Sequence, residues 1–497
     1  MRFAQNFPFF CILLSLMCAV VSSVLSPRAA RRVTLFLILA VIGMTCGVLL
    51  DLPAVDVSYV YTMGHFPAPW GNEIRVGAVE AVSMLIFSVV LLLSFLGGLQ
   101  GAMETIEESK QSIYCILVDL ALLSLLALVY TNDLFTAYVF IEINTIAAAG
   151  LVMMRQNGES LVGGVRYLIM NLLGSSLFLI GVVLLYTITG HLLMQNIRES
   201  VAALAASGEY HVPLAVVVGL ISVGLAMKSA LFPFQSWLPG AYGNATPTAS
   251  AILSSLVSKG YIFLLIKVYF RVIGMDVIAR LGILDVLFVF GAVGMVMGSI
   301  SAVRAKTTRM MVAYSSVAQI GYIFTALGLS TALGALAALW HMLAHALTKS
   351  MLFISGAELD RASGDTHLRA DLRGGFARSP IAAAAFSLGA VNLIGLPLLS
   401  AFVTKLVMGM ASVEVGGRHM MITLAALAIS TVLNAKYFLG TAADLFVPAT
   451  EEAMRARVPA GKLVCASLIG FMAANLLMGL SPMLVLQLLE TGLKSFG

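Results

Sequence analysis

Apolar runs of about 20 residues recur from one end of the chain to the other, and each is long enough to cross roughly 30 Å of hydrocarbon. They lie near 6–26, 33–51, 76–98, 111–130, 134–154, 163–188, 213–236, 243–270, 278–300, 308–329, 331–356, 380–410, 419–441 and 463–489, about fourteen in all. Within a bilayer the backbone must satisfy its own hydrogen bonds, so segments of this length and composition are helices. With 60% hydrophobic and only 11% charged residues, a chain of 497 residues has too little surface charge for a soluble globular protein. The fold expected is an all-α polytopic membrane protein.

Against that background five ionisable residues stand out. Glu142, Lys228, Lys259, Lys349 and Lys405 each fall deep within a different apolar run. A charge at the bilayer centre costs roughly 2.5–3.5 kcal/mol on insertion scales, so such residues mark ion or proton routes. Buried lysine sheds its proton more readily and a nearby carboxylate opposes that; Glu142 is the obvious counter-charge, but its pairing with Lys228 is not visible in sequence spacing and requires the fold. His341, His345 and Lys349 lie at i, i+4 and i+8 and form one helical stripe about 12 Å long. Two imidazoles and an amine in line suit a proton relay; a structural polar seam or a metal site are the competing readings. Metal is disfavoured because no Glu follows the first His and Lys349 would repel a cation. Lys267 and Arg271 are nearer the end of their run and are read as snorkelling, and Asp133 as a helix cap. Asp119 is left open.

Two spans are interrupted by proline. Pro233 follows Lys228, and Pro397 precedes Lys405. Proline frees a backbone carbonyl and bends a helix, which a membrane tolerates only where protein or water satisfies the exposed group. Interrupted helices at corresponding places in two halves are a property of inverted-repeat transporters.

The polar segments are 52–75, 100–110, 190–212, 357–379 and 442–462. The first, with Tyr59, Tyr61, Pro67, Pro69 and Trp70, reads as a surface hairpin. Segment 357–379 reads as a solvated loop with a short helix. His191 and His211 are assigned to a loop. With the N-terminus outside, inner loops carry about fifteen Lys and Arg, among them Arg28, Arg31, Arg32, Arg155, Arg309, Arg369, Arg455 and Arg457. About seven, including Arg2, Arg75, Arg198 and Arg418, remain outside, so both termini are expected on the outer side of a cell (inner) membrane. The first apolar run, flanked by arginines on its far side, reads as a span and not as a cleaved signal. Cys11, Cys18, Cys46, Cys115 and Cys465 form no CxxC pair and read as small buried hydrophobes. No phosphate-binding loop, dinucleotide fingerprint or iron–sulfur cysteine cluster is present, and His341 and His345 share one helix and cannot sandwich a haem. The expectation is no cofactor, no metal, no catalytic or redox centre and no nucleic-acid face.

Several motifs resemble those of a known family. Lys228-Ser-Ala-Leu-Phe-Pro233-Phe-Gln-Ser-Trp237-Leu-Pro239, followed by Ala245-Thr246-Pro247, is similar to the signature of the proton-conducting antiporter-like membrane subunits. These comprise membrane-arm subunits of complex I, the A-type and D-type subunits of Mrp cation/proton antiporters, and counterparts in membrane-bound hydrogenases. Ala313-Tyr314-Ser315-Ser316, His345-Ala-Leu-Thr-Lys349 and Gly395-Leu396-Pro397 with Phe402 and Lys405 resemble further blocks in the family's order, over roughly residues 55–440. The hairpin resembles the Mrp D-type branch most. Thr307, Arg309 and Met310 stand where the family carries Asp-x-Lys-Arg, Gly77 where an aspartate is common, and Ala401 where a glycine is usual.

The resemblance implies about 14 transmembrane helices containing two inverted five-helix repeats. It divides the chain into 1–110 (N-terminal helices and hairpin), 111–270 and 278–441 (the repeats) and 442–497 (C-terminal loop and last helix). It also implies a polar axis in which Glu142 pairs with Lys228, Lys259 and the His341–His345–Lys349 stripe connect, and Lys405 is the outlet. The implied partners are other membrane subunits of an antiporter, an NADH-quinone oxidoreductase or a hydrogenase complex, with protons and Na⁺ or K⁺ as candidate ions. The alternative is a stand-alone proton-coupled transporter of a small solute.

Overall fold

The computed structural model describes residues 3–52, 58–66, 71–364, 369–448 and 460–496. The expectations attached to Arg2, Pro67, Pro69, Trp70, Arg455 and Arg457 lie outside these residues, as does the side chain of Arg369.

The helices that build the fold are α1 (Phe7–Ser22), α2 (Pro27–Asp51), α3 (Ala78–Thr105), α4 (Gln111–Tyr130), α5 (Leu134–Met153), α6 (Gly158–Thr189), α7 (Met194–Ser207), α8 (His211–Lys228) and α9 (Leu238–Asn244). They continue as α10 (Pro247–Ile273), α11 (Met275–Arg280), α12 (Ile283–Arg304), α13 (Thr308–Gly328), α14 (Ala332–Ala362), α15 (Pro380–Ile394), α16 (Ser400–Val415), α17 (Gly417–Phe446), α18 (Lys462–Leu480) and α19 (Pro482–Lys494). Among the described residues, twelve helices are long and apolar enough to cross a membrane. The expected count of about fourteen is met by adding α14, whose polar residues lower its hydropathy, and the broken pair α15–α16. The expected run 463–489 is two helices, α18 and α19, because Ser481-Pro482 interrupts it.

Between α2 and α3 the expected hairpin forms as β1 (Ser58–Thr62) and β2 (Glu73–Gly77), antiparallel with Tyr61 opposite Ile74. Segment 190–212 is more ordered than a loop. Its centre is α7, which buries Met194, Ile197 and Val201 on one face, and His211 is the first residue of α8. Segment 357–379 begins as the last turns of α14 and contains the expected short helix, Gly375–Arg378.

Capping matches the residue types. Asp133 accepts from the Thr136 N–H at 2.6 Å, Asn157 from Ser160 at 2.8 Å and Thr307 from Met310 at 3.2 Å. Asp133 is thus a cap, and Thr307 caps α13.

Helices differ in depth. The span of α10 is wholly buried and that of α13 is 89% buried, whereas α1 and α2 are 33% buried and α6, α17 and α18 39%. On α14 nearly every residue from Gly334 to Asp360 is buried. The core of the bundle is therefore α10, α13 and α14, and two of these carry Lys259, His341, His345 and Lys349. Lipid-facing helices instead present large apolar side chains such as Phe36, Ile169 and Val432.

Candidate functional site: a buried polar axis

The first helix break places Lys228. Helix α8 ends at this residue, and Ala230 takes a left-handed φ of 59° before Pro233. The carbonyls freed at the break are answered locally. Leu231 N–H donates to Ala226 O at 3.0 Å, and the Trp237 indole donates to Met227 O at 3.1 Å. Close approach of α6 brings a second wall. A Cβ on Gly224 would lie 2.5 Å from the Gly174 carbonyl oxygen, and one on Gly174 would lie 3.0 Å from Lys228 Cγ. Only glycine allows the two backbones to meet there.

Lys228 is fully buried and donates through Nζ to Thr145 Oγ1 at 2.7 Å, with Nζ 4.9 Å from the Tyr261 ring centroid. Thr145 stands three residues after Glu142 on α5. The carboxylate acts on Lys228 electrostatically but makes no ion pair with it within 4 Å, and its Oε1 is buried without a hydrogen-bond partner. The carboxylate therefore acts on the ammonium through space and not by direct contact.

Lys259 lies on α10 after a π-helical turn, Leu253–Val257, a distortion common at functional sites. The widened turn lets Lys259 Nζ donate back to the Ser254 carbonyl, and to Ser258 Oγ at 3.2 Å. Next along α14, the rings of His341 and His345 stack with centroids 5.8 Å apart, and Tyr322 lies 5.4 Å from His341. His341 Nδ1 meets Thr404 Oγ1 at 3.0 Å, while its Nε2 and both His345 nitrogens have no partner among the described residues. Lys349 donates to Val312 O at 3.0 Å and to Ser315 Oγ.

The second break places Lys405. Gly395 (φ 87°) and Leu398 (φ 72°) turn the chain between α15 and α16. Lys405 Nζ donates to the freed Ile394 carbonyl at 2.5 Å and to Thr431 Oγ1 at 2.7 Å, and lies 5.8 Å from the Tyr322 ring. The side chain is half-buried, and it packs against Gly395 so closely that a Cβ there would be 2.9 Å from Lys405 Cδ. Glu142, Lys228, Lys259, the histidine stripe and Lys405 are thus all turned into the bundle.

Asn392 was not singled out in the sequence. Buried at the end of α15, it donates to Thr348 Oγ1 at 2.9 Å, Ser400 Oγ at 3.1 Å and Asn475 Oδ1 at 3.0 Å. Its Oδ1 accepts from Ala401 N–H at 3.1 Å and from Ser400 Oγ at 3.2 Å. It therefore caps α16 and ties it to α14 and α18. Only its position five residues before Pro397 could have drawn attention to it.

Lys267 and Arg271 correct the snorkelling expectation. Lys267 is fully buried and donates to Val129 O at 2.8 Å and to Thr131 O, at the C-terminal end of α4. Arg271 Nη1 is 2.6 Å from Glu80 Oε1, with side chains 3% and 0% exposed, and its guanidinium lies 4.0 Å from the Phe496 ring. The run is apolar on every side, so sequence position could not show that the ends of α3, α4 and α19 cover these groups. Asp119 is also buried, with Ser22 Oγ 3.4 Å from Oδ2. The five cysteines are unpaired; Cys11, Cys18 and Cys115 are buried, and Cys46 and Cys465 half-buried.

The architecture and its inward-facing charges define a class of multi-span, antiporter-like membrane subunit. A family model described as "NADH:quinone oxidoreductase/Mrp antiporter, TM" matches residues 131–433, and the chain belongs to this family. It is 30% identical over 428 residues to NADH-quinone oxidoreductase subunit N of Desulforudis audaxviator, covering 82% of each chain. It is 27% identical over 366 residues to the D-type subunit of the Na(+)/H(+) antiporter of Alkalihalophilus pseudofirmus, covering 72% of this chain and 71% of the relative. A chain of the membrane-bound sulfane sulfur reductase, an archaeal respiratory membrane complex, shares the fold with a TM-score of 0.87, over 100% of this chain and 98% of that one, at 24% identity.

Proposed function

We propose that this chain is the proton-translocating, antiporter-like subunit of a multi-subunit membrane complex. Protons pass along Glu142, Lys228, Lys259, His341, His345, Lys349 and Lys405, with Pro233 and Pro397 marking the helix breaks that position the two outer lysines. One observation carries this reading. Among the described residues, Lys228, Lys259, Lys349 and Lys405 are held by hydroxyls and backbone carbonyls, with no carboxylate within 4 Å. A lysine locked in an ion pair resists losing its proton, while one held by neutral acceptors can alternate between ammonium and amine. Unpartnered imidazole nitrogens between them offer sites through which water can relay a proton.

In this reading residues 111–270 and 278–441 are the two halves of an inverted repeat, one ending near Lys259 and the other carrying Lys405. The arginine and lysine asymmetry favours both termini on the outer side of the cell membrane. Relatives named as subunits of an NADH-quinone oxidoreductase and of a Na(+)/H(+) antiporter support work within a complex, with a proton as the transported ion and Na⁺ or K⁺ as the candidate counter-ion.

The test is proton uptake by vesicles containing the purified complex. Glu142→Gln and Lys228→Ala should each lower uptake at least tenfold while the complex still assembles. Wild-type uptake by both would overturn the relay. Imposed Na⁺ and K⁺ gradients in the same vesicles read the counter-ion.

A further inference from the structure

Among the described residues, the buried carboxylates are Glu80, Asp119, Glu358 and Asp360. Three of them are answered by arginine. Glu80 meets Arg271 at 2.6 Å, Asp360 meets Arg309 at 3.1 Å and Glu358 meets Arg361 at 2.7 Å. Asp119 has no basic group within 4 Å, and the groups that act on it are hydroxyls. A buried carboxylate without a base persists only as the neutral acid or with a bound cation.

Asp119 is the ninth residue of α4, and Ser22 of α1 and Thr34 of α2 face it, all three with 0% exposure. Ser22 Oγ is 3.4 Å from Asp119 Oδ2, well beyond the length of about 2.7 Å usual for a hydroxyl bond. Asp119 Oδ1 accepts no hydrogen bond among the described residues. The Thr34 hydroxyl faces both Asp119 and Cys115 but makes no well-aligned bond to either. Side-chain oxygens from three helices therefore converge with unused lone pairs. Arg31, on the helix of Thr34, lies toward Cys115 and donates through Nε to the Pro27 carbonyl at 3.1 Å.

The donor set is hard oxygen, which suits alkali and alkaline-earth ions. Cys18 and Cys115 lie one turn before Ser22 and Asp119, yet among the described residues they do not gather with the carboxylate into a transition-metal set. One carboxylate balances a single positive charge and would leave a divalent ion half compensated. Na⁺ is close in size to Ca²⁺, whose ligand oxygens lie about 2.4 Å away, so two ligands at right angles stand about 3.4 Å apart. That is the separation of Ser22 Oγ from Asp119 Oδ2. The larger K⁺ needs a wider one.

We infer that Asp119, Ser22 and Thr34 form a Na⁺ site that exchanges its ion for a proton. When Na⁺ enters, the carboxyl proton leaves to water as hydronium, so the site is neutral in both states. Binding rests on this geometry alone. Only its coupling to proton movement rests on the relay, whose residues lie on other helices.

The experiment is equilibrium binding of radiolabelled Na⁺ to the intact, purified complex in choline buffer. Wild type should bind one equivalent more than Asp119→Asn. Thr34→Val keeps the carboxylate and should bind that equivalent at least fivefold more weakly. K⁺ should displace it at least tenfold less well than unlabelled Na⁺. Equal binding by wild type and assembled Asp119→Asn would overturn the inference, as would equal displacement by K⁺. In infrared difference spectra, adding Na⁺ should remove the carbonyl stretch of one carboxylic acid from wild type and none from Asp119→Asn. A wild-type spectrum in which Na⁺ removes no such band would overturn the exchange. Lys228→Ala measured alongside separates site from relay. It should bind Na⁺ as wild type does, and loss of the equivalent there would overturn the site. Normal proton uptake by the same variant removes the relay and leaves the Na⁺ site standing.

Discussion

Asn392→Ala tests whether the second helix break is held by one side chain. The amide joins α14, α15, α16 and α18 through Thr348, Ser400, Ala401 and Asn475. Truncation leaves the Ala401 N–H at the start of α16 without its acceptor. Thr348 and Asn475 still bond each other at 2.7 Å, so they lose less. A buried group left unsatisfied costs about 1–3 kcal/mol, and the loss of a cap about 1 kcal/mol. Both figures describe the same lost bond, so the cost expected is about 2 kcal/mol, some thirtyfold in the unfolding equilibrium. Asn392→Asp keeps the acceptor for Ala401 and Ser400 and should cost less than the alanine change. Unfolding in mixed detergent micelles, followed by tryptophan fluorescence, measures both, because the Trp340 indole donates to the Ser400 carbonyl beside the break at 2.9 Å. An alanine variant within about 0.5 kcal/mol of wild type, the scale of a neutral surface change, would refute the argument.

Gly224→Ala should separate α6 from α8, because its Cβ would lie 2.5 Å from the Gly174 carbonyl. A cost of about 1–3 kcal/mol and a loss of proton uptake are expected, and unchanged stability would show that the helices yield freely. Lys405→Ala and Lys405→Arg should both abolish coupled uptake, since arginine keeps the charge but cannot release the proton. Normal uptake by the arginine variant would make Lys405 an anchor. Arg271→Ala leaves Glu80 buried without its partner and should destabilise by about 3–5 kcal/mol in the same micelle assay, whereas a snorkelling arginine would cost almost nothing.

The helix breaks illustrate how far sequence reading carries into structure. Pro233 and Pro397 announce that two spans are interrupted, because proline offers no N–H and its ring clashes with the preceding turn. They do not announce what answers the freed carbonyls. At the first break it is the Trp237 indole, and at the second the ammonium of Lys405. Glycine behaves similarly. Gly174 and Gly224 are two among 44 glycines, and only their apposition across α6 and α8 shows that neither can carry a side chain.

What the sequence determined by itself is what hydrocarbon demands of any chain. Apolar runs of bilayer length must be helices, and a charge inside one must find a partner or perform a task. That was enough to identify the spans, the hairpin and the seven ionisable residues turned inward. Partnership was decided by tertiary structure alone. Lys228 is held by the Thr145 hydroxyl and not by direct contact with Glu142, and Lys267 and Arg271 are enclosed by α3, α4 and the C-terminal residues. The physical reason is that hydropathy records how apolar a segment is but not which side of it faces protein. In a helix apolar all round, that side is chosen by the neighbours that pack against it.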